Sequence, residues 1–290
     1  MKKLLPLTII LSLALSACGD FAPEATAEPS AAPEYSFTEE TYPALAASAA
    51  AEELADAVTA IMLCTDRETA AERVISCTSA EAWDSLGSGA CAIVIAAGAG
   101  DIPDGVETEA IAQDALVFYV SESNPVDSLT LRELEDIFDG DETSWDAFGG
   151  GEEDIIIMGR EAGSGSVAAL SSLVGCDEEL VTAVNEYETA SGVIGFGFYY
   201  PCVTQGLADG YKIISVEGVA PSAETVASGE YPLTVEYLVG ISSSAAEDSP
   251  ERTLYDWLCG SVGQAFISSQ GYFAPSAAEN SAPEAEGVTE

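Results

Sequence analysis

Residues 154–175 read DIIIMGREAGSGSVAALSSLVG. The apolar run DIIIMG (154–159) predicts a buried strand, and SVAALSSLVG (166–175) predicts a helix that closes on Gly175. Between them, GREAGSGS (159–166) sets Arg160, Ser164 and Ser166 among three glycines. A helix start exposes unpaired N–H groups and the positive end of a dipole, so a loop there favours a negative ligand. Gly163 and Gly165 let the backbone approach closely, Ser164 and Ser166 offer hydroxyls, and Arg160 offers a planar fork suited to a tetrahedral oxyanion. Composition alone fits a second reading equally well, namely a Gly/Ser turn with Ser166 as N-cap and Arg160 paired to a nearby acid.

Other chemistries are excluded or weakened by what the chain lacks. It has no histidine, so a Ser-His-Asp triad is impossible, and Lys212 alone could serve a Ser-Lys pair. No lysine follows a glycine as a P-loop demands, and Gly192, Gly195 and Gly197 do not make a dinucleotide motif. DGDETSWDAFGG (139–150) lacks the glycine and glutamate of a calcium loop at its sixth and twelfth positions. The expectation is a protein that is not an enzyme and that carries no metal and no cofactor.

The chain opens with MKKLLPLTIILSLALSACGD, a charged start and a short apolar core, which reads as a signal peptide over residues 1–17. Leu15-Ser16-Ala17-Cys18 resembles a lipobox, so Cys18 is the expected lipidation site and the chain's link to the membrane. The Ala/Pro/Glu-rich stretch 18–35 predicts a disordered tether, and 277–290 a tail of the same kind. Without Lys2 and Lys3, 6 basic residues face 50 acidic ones, a balance of −44. Such a surface repels nucleic acid and anionic membrane. Six cysteines besides Cys18 permit disulfides outside the cell but assign none, and Cys91, in an apolar run, reads as a buried thiol.

Further along, 50–63 has helical spacing, 90–98 and 114–125 hold apolar strand-like runs, and Thr130 is a candidate N-cap for a helix bearing Leu131, Leu134, Ile137 and Phe138. GVIGFGFYY (192–200), YKIISV (211–216) and LTVEYLVGI (233–241) read as strands, and 251–272 as one or two helices. Alternating strands and helices predict an α/β chain with mainly parallel sheets.

Collinear motifs then add a resemblance. YPALAAS (42–48), TSAEAWDSL (78–86), DALVFYVSESNPVDSLTLRELEDIFDGDETSWDAFGG (114–150), GREAGSGS, GVIGFGFYY, GVAPSAETVASGEYPL (218–233) and GQAFISSQGYFAP (263–275) occur in this order. From Tyr42 to about Pro275 the chain resembles the phosphate-binding protein of bacterial phosphate ABC transporters, in its Gram-positive-type lipoprotein form. The resemblance implies a two-lobed type-II periplasmic-binding-protein fold, with crossing strands near Leu116–Val120 and Thr234–Val239. Lobe one would be 36–118 plus 234–276, and lobe two 119–233. It implies an extracytoplasmic, lipid-anchored, monomeric protein that passes phosphate or a related oxyanion to an ABC permease. The donors would be Arg160, Ser164, Gly165, Ser166 and Ser48.

The first-lobe motif departs from the family pattern. Ala46 and Ala49 stand where Y-P-x-I-D-G-S-T is usual, and Ala92 is matched to the aspartate that accepts the proton of hydrogen phosphate. Without that acceptor, phosphate and sulfate are less well told apart, and each lost donor weakens binding by roughly 1 kcal/mol. The alternative expectation is therefore a protein of the same fold whose ligand has changed or been lost, serving as a sensor or interaction domain.

Overall fold

A computed structural model describes residues 37–98, 101–177, 181, 191–207 and 209–275. The expected signal peptide, the tether with Cys18, and the tail at 277–290 lie outside the described residues. No helix among the described residues is long and apolar enough to cross a membrane.

Among the described residues ten strands form the frame: β1 Leu45–Ser48, β2 Val74–Cys77, β3 Ile93–Ala97, β4 Val106–Ser121, β5 Ser128–Leu129, β6 Ile156–Met158, β7 Val193–Phe198, β8 Tyr211–Ile213, β9 Ser215–Val216 and β10 Thr234–Ser242. Eight belong to one sheet in the order β2-β1-β3-β10-β4-β7-β6, with β8 also on β4, while β5 and β9 pair separately. β4 is the long member and changes partner midway: Val106–Ala115 pairs with β10, and Leu116–Val120 with β7. The sheet thus has two halves joined along one strand. β1 pairs parallel with β2 and β3, and β6 with β7. β10 runs antiparallel to β3 and β4, and β7 and β8 antiparallel to β4. The expectation of mainly parallel sheets is corrected here, because the strand that links the halves and its return partner both run against their neighbours.

The α-helices among the described residues include α1 Glu52–Leu63, α2 Arg67–Ala71, α3 Ser79–Gly87, α4 Leu131–Phe138, α5 Gly165–Val174, α6 Tyr199–Thr204, α7 Ala223–Ala227, α8 Pro250–Cys259 and α9 Ser261–Ser269. Local sequence explains their ends. Thr78 and Glu81 close a capping box on α3, and Thr130 and Glu133 do the same on α4. Ser249 caps α8 with Pro250 at its first position. Gly175 adopts φ +96 at the end of α5, the left-handed conformation that glycine reaches without strain.

Burial follows the expected periodicities. Ile93–Ala97 is buried throughout, and α1 buries Leu54, Ala55, Val58 and Met62. Phe138 packs between Phe118 and Phe196, with ring centroids 5.6 and 5.5 Å away. In the first half, a Cβ at Gly240 would stand 2.5 Å from the Trp83 ring, so β10 needs glycine there. Where β4 changes partner, fully buried Asp114 accepts hydrogen bonds from Ala115 N (2.8 Å), Tyr200 N (3.0 Å) and the Tyr237 hydroxyl (3.0 Å). Those bonds tie the first turn of α6 to the junction of the two halves. Cys64, Cys77, Cys91, Cys202 and Cys259 are free thiols, with Cys91 buried as its sequence context predicts.

Candidate functional site

A cleft of about 990 Å³ runs between the two halves. One wall carries Ser48 from the end of β1 and Thr78, Ser79 and Glu81 from the start of α3. The other carries Arg160, Ser164, Gly165 and Ser166. All five residues expected to donate to a ligand therefore meet in one cavity, although they are up to 118 positions apart.

The loop owes its shape to its small residues. Gly163 has φ +77, and a Cβ there would lie 3.2 Å from Ala80 Cβ. A Cβ at Gly165 would lie 2.7 Å from Ser79 Oγ and 3.0 Å from Ala97 Cβ. The start of α5 thus sits directly against the start of α3 and the end of β3. Ala80 N also donates to Gly163 O at 3.2 Å, a backbone bond between the two walls.

Ser164, not Ser166, is the N-cap of α5, and its side chain makes no cap hydrogen bond. Its Oγ lies 3.4 Å from Ser166 Oγ. The Ser164 carbonyl accepts from Val167 N and Ala168 N, so helix geometry leaves the N–H groups of Gly165 and Ser166 without intrahelical acceptors. Among the described residues, the Arg160 guanidinium forms no ion pair. The plain-turn reading required a Ser166 cap and a paired arginine, and neither is present among the described residues.

Ser48 is 2% exposed, and its Oγ accepts from Ala97 N at 3.3 Å. The alanines matched to family ligand positions divide on inspection. Ala46 faces a core cluster with Trp83 and Leu86. Ala49 donates its N–H to Cys77 O at 3.1 Å. Ala92 lies at the opposite end of β3, where its N–H bonds Ala44 O at 2.8 Å. The β3 residue beside the loop is Ala97. Ala92 is therefore the wrong position for a lost proton acceptor, because five residues along an extended strand move a side chain to the other end of the sheet.

Three features of the site escape sequence reasoning. Ser79 is 2% exposed, and its hydroxyl has no hydrogen-bond partner. The T-x-x-E signature at Thr78–Glu81 marks the start of α3, and it could have pointed to Ser79 as the first residue of a helix aimed at the cleft. Glu81 accepts from Thr78 N (2.9 Å) and Thr78 Oγ1 (3.0 Å), and those bonds hold its carboxyl below the usual range. With Glu52 and Glu161, it gives the cleft three carboxylates against one guanidinium. Cys77 and Cys202 face the cleft from opposite walls. Burial raises both thiols, Cys202 to about 11 although Arg160 pulls it down, so both are protonated at neutral pH.

The fold and cleft define a class: an α/β protein of two halves, with the starts of two helices opening into the cleft between them. The chain belongs to the PBP superfamily, whose domain it matches over residues 43–258. It is 26% identical over 188 residues to the phosphate-binding protein PstS of Bacillus subtilis, a match covering 58% of this chain and 59% of that protein. The matched region thus spans less than two thirds of that relative. An ABC-type phosphate transport receptor from Vibrio cholerae has the same fold, with TM-score 0.63 and 21% identity over 80% of this chain and 99% of that one. So does a phosphate ABC transporter substrate-binding protein from Clostridium perfringens, solved with bound phosphate, with TM-score 0.62 and 20% identity over 79% and 98%.

Proposed function

We propose that the chain is an extracytoplasmic solute-binding protein that captures phosphate or a related oxyanion for an ABC permease. Lobe one comprises 36–118 plus 234–276, lobe two comprises 119–233, and a lipid on Cys18 tethers the whole to the membrane. Arg160, Ser164, Gly165 and Ser166 form the second-lobe half of the ligand site, and Ser48 belongs to the first. The observation that carries this reading is the start of α5, whose uncapped N–H groups and mutually bonded serine hydroxyls share one cleft with Arg160. The similarity to phosphate-binding receptors supports the choice of ligand class.

The alternative, a changed or lost ligand, is favoured by Ala97 beside the loop and by the carboxylates of Glu52, Glu81 and Glu161. No acceptor on β3 meets a ligand proton, and the carboxylates oppose a dianion. Titration calorimetry of the full-length chain separates the two. Saturable phosphate binding supports capture. No heat with either phosphate or sulfate supports a sensor or interaction role.

A further inference from the structure

The cavity is far larger than the anion that its loop is built to hold. A tetrahedral oxyanion displaces the volume of two or three waters, on the order of 60–90 Å³ at about 30 Å³ each. The cleft measures about 990 Å³. At the loop itself the walls already touch, where Gly163 O bonds Ala80 N and Gly165 abuts Ser79, so the excess lies beyond the loop.

The remaining space has a distinct chemistry. Beyond the loop the second-half wall includes Tyr119, Met158, Phe196, Leu207 and Tyr211, with Cys202 and Gln205 among its polar members. The Tyr119 and Tyr211 rings meet edge to face at 5.8 Å, and the Tyr119 hydroxyl is turned to Met158 Sδ at 3.3 Å. Apolar side chains make up much of this wall beyond the loop, a surface that an inorganic ion does not use. Two hydroxyls of residues that line the cleft are buried and without partners: Ser79 at the loop end, 2% exposed, and Tyr211 at the far end, 9% exposed. A buried hydroxyl without a partner carries a desolvation penalty that a ligand group would relieve. The two orphans mark two ends of one ligand: an anionic head, and a body with a polar substituent.

We propose that the cleft takes an organic phosphate, an oxyanion head in the loop of residues 159–166 carrying an apolar or aromatic body against Tyr119, Phe196, Leu207 and Tyr211. This rests on the reading of that loop as the anion site.

Calorimetry of the full-length chain with inorganic phosphate, methyl phosphate and phenyl phosphate tests it. Phenyl phosphate is expected to bind at least tenfold tighter than inorganic phosphate, with methyl phosphate between them. In Leu207→Asn, a partly exposed wall position, the phenyl-to-methyl ratio is expected to fall several-fold. Inorganic phosphate binding as tightly as phenyl phosphate overturns the proposal and leaves phosphate capture standing. Phenyl phosphate binding that survives Arg160→Ala unchanged also overturns it, because the head is then not in the loop. Binding of none of the three overturns both readings.

Discussion

Arg160 is the residue on which the proposed oxyanion site turns. A hydrogen bond to a charged group contributes about 1.5–3 kcal/mol, so Arg160→Ala is expected to weaken oxyanion binding by roughly 10- to 150-fold without changing the melting temperature appreciably. Paired calorimetry and thermal unfolding check both parts. Asp114 supplies a pH test. Burial outweighs its hydrogen bonds and raises its pKa to about 6. Its protonated form is thus favoured by folding, so its contribution to stability is complete below about pH 4 and is lost as pH rises through about 6. Asp114→Asn is expected to flatten that loss by up to about 3 kcal/mol between pH 4 and 7.5, read from denaturant unfolding at each pH. The loop was legible at this scale because Arg160, Ser164, Gly165 and Ser166 are contiguous with the helix they start. Ser79 and Ala97 were not, because their role comes from β1, β3 and α3 meeting in space. Matching along the strand selected Ala92, which faces the wrong end.

Elements explain where sequence periodicity succeeds and where it stops. The apolar part of β4 was visible from Asp114 onward, where it is buried, but its first half, VETEAI, was not. There the strand is partly exposed, and charged residues break the apolar run. Tyr199 and Tyr200 read as the end of a strand, yet they open α6, whose start is held by the Asp114 carboxylate rather than by any local signal. The long connecting strands also made half of the sheet antiparallel, a consequence of chain return that local pattern does not encode. Packing at the elements is tight enough to test. Gly240→Ala would set a methyl 2.5 Å from Trp83 and is expected to cost about 1–3 kcal/mol. Thr78→Ala removes the α3 cap and is expected to cost about 1 kcal/mol. Urea denaturation of each variant measures both.

Over the whole molecule, the charge of −42 acts on stability and on ligand capture together. Self-repulsion of like charges destabilises a compact state, and salt screens it. The melting temperature is therefore expected to rise from 20 mM to 500 mM sodium chloride, and a fall would show that specific ion pairs such as Arg252–Glu107 dominate instead. In so acidic a chain, an anion binds only where donors are concentrated, and the cleft between the halves concentrates them at the start of α5. The most direct test of that claim is calorimetric titration of inorganic phosphate and phenyl phosphate into the full-length chain and into Arg160→Ala. The account predicts saturable one-to-one binding that weakens at least tenfold in the variant. Binding of equal strength in both proteins, or of neither ligand to the unaltered chain, would contradict it.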